Sequence, residues 1–146
     1  MDEAMTRTVD HLNSFLRGEL AAVETYRLAL QKLDASPNRG MFEHCARSHA
    51  ERARVLAEEI RRFGGVPSES SGPWGTFAKL VEGSASVFGE KAAVVALEEG
   101  ENHGLNDYRR DLPELAPAAR QRLENEIIPE QNRTHFAMSR LKRELS

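Results

Sequence analysis

The 146-residue chain has a single cysteine, Cys45, so it can form no intrachain disulfide and carries no CxxC zinc or redox motif. Aromatic residues make up only 6% and tryptophan occurs once. That scarcity, beside abundant Ala, Leu, Glu and Arg, favours helices over a β-sandwich or barrel. No apolar run approaches the roughly 18 residues of a membrane-spanning helix. Basic residues never run longer than a pair and the net charge is -3, which argues against a nucleic-acid-binding surface. There is no Ser-His-Asp order, no phosphate-cradling glycine loop and no HExxH. The first residues, Met1-Asp2-Glu3, are acidic rather than signal-like. The expectation is a soluble, cytoplasmic protein with neither a membrane nor a nucleic-acid partner.

What is present is a globular balance, 40% hydrophobic and 29% charged, in a length that suits one domain over residues 1–146. Four stretches carry the alternating three- and four-residue spacing of a bundle seam. The first runs Leu16, Glu19, Val23, Tyr26, Leu30, Leu33 and stops at Asp34 to Pro37. The second runs Phe42, Cys45, His49, Ala53, Leu56, Ile60, Phe63 and ends at Gly64-Gly65. The third runs Val94, Leu97, Glu101, Leu105, Tyr108, Leu112 and ends at Pro113. The fourth starts near Pro117 and carries Leu123, Ile127, Met138, Leu141 and Leu145, with Pro129 predicting a kink or break. Short turns make two antiparallel helical hairpins, at about 8–63 and 90–145. The connection 64–89 holds a Ser- and Gly-rich loop and, at Thr76 to Val87, a pattern that reads as a short extra helix. Two hairpins joined by one long crossover define an all-α, ferritin-like, antiparallel four-helix bundle.

The hairpins repeat weakly. Gly18-Glu19 and Tyr26-Arg27 return as Gly100-Glu101 and Tyr108-Arg109, 82 residues later. Arg47-Ser48-His49 is echoed by Arg133-Thr134-His135, 86 residues later. Glu19 and Glu101 lie on core seams, where an unpaired carboxylate is costly. His49 is also on a seam, and His135 is one position off. These four are the candidate ligands of a divalent transition metal, iron, zinc or manganese, with Tyr26 and Tyr108 behind them. The alternative is a metal-free network in which a buried His, Arg or Tyr satisfies each Glu.

Several stretches resemble a bacterial ferritin-like family, a four-helix-bundle domain with no assigned function. They are Leu12-Asn13-Ser14, the run Leu16 to Tyr26, Gly64-Gly65-Val66-Pro67 and the loop Ser70-Ser71-Gly72-Pro73-Trp74-Gly75. Val81-Glu82-Gly83, Phe88-Gly89, Glu99-Gly100-Glu101, Ile128-Pro129-Glu130-Gln131 and His135 complete the match. The resemblance implies a ferritin-like fold and no defined activity. Di-iron members of the wider superfamily take one Glu from each of two helices and a Glu-x-x-His pair from each of the others. By that resemblance Glu19 and Glu101 fill the single-Glu roles, but Ala46 and Asn132 stand where the paired Glu residues belong. A mononuclear or lost site is therefore expected, with no catalytic residue assigned. Glu24, Glu51, Glu98 and Glu130 are nearby in sequence.

Counting along the helices at ~1.5 Å per residue puts Glu19 and His49 at one level but leaves His135 ~10 Å from the level of Glu101. Trp74 reads as an anchor for the crossover, and Cys45 as a small core residue. The expected function is a bundle that binds one divalent metal for metal or oxidative-stress handling, or else a metal-free structural or interaction module. A homo-oligomer, as a dimer, is expected of such a bundle.

Overall fold

The computed structural model describes residues 2–72, 83 and 89–146. The short helix expected at Thr76 to Val87, apart from Gly83, and the Trp74 anchor lie outside these residues. The described residues are all-α. Helix α1 spans Glu3–Lys32, α2 spans Arg39–Arg62 and α3 spans Glu90–Asp111. A 3-10 turn, Leu112–Glu114, leads to α4 at Pro117–Glu126 and α5 at Ile128–Glu144.

The caps explain the boundaries. Asp2 accepts a 2.8 Å hydrogen bond from the Met5 amide, so α1 begins several residues before its apolar pattern does. Pro117 opens α4 at a position where its missing N–H costs nothing. Pro129 produces the expected break, with α4 ending at Glu126 and α5 restarting at Ile128. Ile127 caps both pieces: its amide bonds the Leu123 carbonyl at 2.9 Å and its carbonyl accepts from the Gln131 amide at 2.9 Å.

α1 packs along α2 and α3 along α5, while α1 against α3 and α2 against α4 and α5 close the bundle. Contacts set the directions. Asn13 near the start of α1 reaches Val66 beyond the end of α2, and Glu19 meets His49. Glu98 meets Lys142, and Asn102 meets His135. Phe15 lies on Tyr108, and Tyr26 meets Glu101. α1 is therefore antiparallel to both α2 and α3, and α2 and α3 run the same way.

Two apolar layers fill the bundle. One is built on Leu12, Phe15, Leu16, Leu56, Ile60 and Leu123. The other contains Phe42, Cys45, Val94, Leu97 and Met138, so Cys45 is the buried core residue expected. The polar site lies between them. The start of the connection is tied back to α1. Asn13 donates to the Val66 carbonyl at 3.1 Å and accepts from the Ser68 amide at 2.8 Å, and Arg17 donates to Ser68 Oγ at 3.1 Å. A Cβ on Gly65 would stand 2.5 Å from Val9 Cγ1, so only glycine lets the chain lie this close to α1. No described helix is long and apolar enough to cross a membrane.

Candidate functional site

Glu19, His49 and Glu101 project from three different helices and meet between the apolar layers. All three are buried. His49 bridges the two carboxylates, with Nδ1 2.8 Å from Glu19 Oε1 and Nε2 2.8 Å from Glu101 Oε2. An imidazole that donates through both nitrogens is the protonated form. Burial alone would lower the His49 pKa, but the Glu101 and Glu19 carboxylates outweigh it, and the pKa is raised.

Arg52, one turn along α2 from His49, is 1% exposed. Its Nε lies 3.2 Å from Glu19 Oε2, and its other nitrogens donate to Gln131 Oε1 and, at 2.9 Å, to Thr134 Oγ1. The site thus holds two carboxylates, one guanidinium and one imidazolium, which balance in charge. Glu101 is the most heavily bonded member. It accepts from Tyr26 at 2.6 Å and from Thr134 at 2.7 Å, besides His49. Burial pushes its pKa up, but the His49 charge and hydrogen bond, Arg52 and Tyr26 prevail and hold it at about 2. Burial, reinforced by Glu101, keeps Tyr26 neutral well above its ordinary range and pushes the Cys45 thiol up to about 12.

His135 does not join the site. It is half-buried on α5 and pairs with Asn102 Oδ1. The residue facing Glu101 is Gln131, whose Nε2 donates to the Glu101 carbonyl at 2.9 Å. The reason is helical phase. Ile127, Gln131, Thr134, Met138 and Leu141 form an unbroken seam at spacings of four and three, and all are buried. His135 lies one residue, about 100°, off that seam. Gln131 and Thr134 follow His49 and Arg52 by 82 residues, the same step that separates Glu19 from Glu101 and Tyr26 from Tyr108. Gly104 makes room for this pairing, since a Cβ there would stand 3.3 Å from Gln131 Nε2.

The other acids stay away from the site. Glu24 is exposed and accepts from Ser71 at 3.2 Å, Glu51 pairs with Arg54, Glu98 with Lys142, and Glu130 with Ser48 and Arg133. Tyr108 sits beside Glu19 but its hydroxyl has no hydrogen-bond partner, and neither has Glu19 Oε2 beyond its ion pair with Arg52. Burial, then the Glu19 charge, raises the Tyr108 pKa well above its ordinary value.

As a metal site this set fits poorly. Both imidazole nitrogens face carboxylate oxygens, and the Arg52 guanidinium already supplies positive charge at Glu19. Among the described residues, no group of three or more His, Cys, Asp and Glu side chains is arranged to hold a metal ion.

Residues 7–114 match the family described as "Domain of unknown function (DUF2383)". That match covers most of the chain, and the protein belongs to this family. No curated protein matches it, and no solved structure does.

Proposed function

We propose that this protein is a ferritin-like four-helix bundle in which a buried charge network stands in place of a metal centre, and that it serves as a metal-free structural or interaction module. The observation that carries this reading is the position of Arg52. A buried, fixed cation 3.2 Å from Glu19, opposite a doubly bonded His49, leaves the carboxylates neutralised by side chains. The ferritin-like part rests on the parallel course of α2 and α3, which a long crossover between hairpins produces. The common 82-residue step through four pairs of site residues supports a duplicated hairpin.

The test is elemental analysis of the purified protein before and after incubation with iron, zinc and manganese. Metal-free protein that takes up none of them is the expected result. Stoichiometric metal that disappears in both Glu19→Ala and Glu101→Ala would overturn the reading.

A second reading, binding of one divalent transition metal for metal or oxidative-stress handling, is favoured by the convergence of Glu19, His49 and Glu101 and by the unbonded Glu19 Oε2. It requires His49 to lose its proton and turn one nitrogen to the ion. His135 would not contribute. Under either reading the protein is proposed to be a cytoplasmic bacterial homodimer without a nucleic-acid partner, and sedimentation at several concentrations tests the oligomeric state.

A further inference from the structure

We propose that the outer groove between α1 and α2 is a docking site for an acidic amphipathic helix of a partner protein. Two recesses that meet at Ala50 make up this groove, one of about 530 Å³ and one of about 270 Å³. Its floor is Ala46, Ala50, Ala53 and Ala57 of α2, with Leu20 and Leu30 of α1. The alanines recur at spacings of four, three and four. A helix laid in a groove sets its own apolar side chains at that same spacing. Methyl side chains on the floor let its axis come close, since the distance between packed helices follows the side chains at the contact. Leu20, Leu30, Ala50 and Ala57 are only half-buried, and Val66 at one end of the groove is 84% exposed.

Charge selects the guest. Arg47, Arg54 and Arg61 stand seven residues apart along the α2 side of the groove, and Arg27 stands on the α1 side; all four are exposed. The α2 row extends over about 21 Å of helix. Arg54 is held by Glu51 and Glu58, and Glu43 by Arg39. Arg27, Arg47 and Arg61 have no ionic partner among the described residues, and Glu69 is the one lining acid in the same position. Three unpaired cations against one anion, on a chain whose net charge is -3, make this groove locally basic. Acidic side chains on the flanks of an incoming helix complement it. A second copy seated groove to groove would instead set the same basic row against itself. The inference rests on the reading of the protein as an interaction module and names the partner's chemistry.

Calorimetric titration of the full chain with a synthetic helix of three heptads tests this. The peptide carries leucine at the first and fourth positions of each heptad and glutamate at the fifth and seventh. Saturable binding that weakens as salt rises is expected, and the same peptide with lysine for glutamate should not bind. Joint Arg47→Glu and Arg61→Glu should weaken the acidic helix by about tenfold or more and admit the lysine one. Ala50→Phe should block the groove with no change of charge. Circular dichroism checks that each variant keeps its helices. An acidic helix that does not bind, or that binds wild type and both variants alike, would overturn the proposal. So would a crystal structure in which a second copy or residues 73–88 of the same chain fill the groove. These substitutions leave the buried network untouched. Metal uptake would therefore remove the metal-free reading without altering this binding, and a failure to bind would leave the metal-free core as it stands.

Discussion

Arg52 is buried with its Nε 3.2 Å from Glu19 Oε2, and this pair joins the second helix to the first at the level where both carboxylates enter the core. A guanidinium here does more than neutralise. Its planar fork also reaches Gln131 and Thr134 on α5, so one side chain ties both hairpins together.

Arg52→Leu should therefore be severely destabilising. It strands the Glu19 carboxylate in the core, a loss of about 3–5 kcal/mol. Arg52→Lys should lie between the wild type and Arg52→Leu, because an ammonium keeps the charge but cannot hold Glu19, Gln131 and Thr134 in one plane. Urea unfolding at neutral pH measures both.

Neutralising the two glutamates separates their roles. Glu101→Gln replaces an acceptor used by Tyr26, His49 and Thr134, whereas Glu19→Gln replaces one that faces His49 and Arg52, with Tyr108 beside it. Each leaves two cations facing one carboxylate, so each should cost about 1–3 kcal/mol, with Glu101→Gln the greater loss. An isolated polar network would tolerate Glu19→Gln easily; the presence of Arg52 is what makes it costly. Denaturant midpoints of the two variants decide the order.

Stability should fall at both ends of the pH scale. The Glu101 pKa is depressed from 4.5 to about 2. Its contribution is complete above 4.5 and is lost as pH falls from there toward 2. The His49 pKa is raised above 6.5. Its contribution is complete below 6.5 and is lost as pH rises through the raised value. The unfolding midpoint followed against pH should show both limbs. Glu101→Gln should flatten the acid one, and His49→Gln the alkaline one.

Two glycines should respond in opposite ways to alanine. Gly65→Ala forces a methyl to within 2.5 Å of Val9 Cγ1 and should destabilise by about 1–3 kcal/mol. Gly18→Ala, inside α1 with open space around its Cβ, should stabilise by about 0.5–1 kcal/mol. Thermal unfolding of the pair checks the sign of each.

Most of the helical frame is legible in the amino-acid order. The apolar spacing places Leu16, Val23, Phe42, Leu56, Val94, Leu97, Leu123 and Met138 inside, and all are buried. Pro129 marks the break before α5. Glu19, His49 and Glu101 are legible too, because a polar residue between apolar ones at seam spacing has only the core to enter. Arg52 escapes such a reading, although it stands three residues after His49 and four before Leu56. A charged residue on a seam competes with its apolar neighbour, here Ala53, and spacing alone assigns the position to the smaller one. Gln131 and Thr134 escape for a related reason. The seam from Ile127 to Met138 passes through them, but His135 draws attention as the residue with ligand chemistry.

Sequence by itself thus determined the four-helix periodicity, the turns and the inward carboxylates, since these depend on local spacing and on the cost of burying charge. Only the tertiary structure decided what those carboxylates bind. The phase of α5 after Pro129 turns Gln131 inward and His135 outward, and the reach of Arg52 across the core neutralises Glu19. The first is already carried by the seam from Ile127 to Leu141, although His135 has the ligand chemistry; the second depends on the relative placement of helices far apart in the chain, which no local pattern encodes.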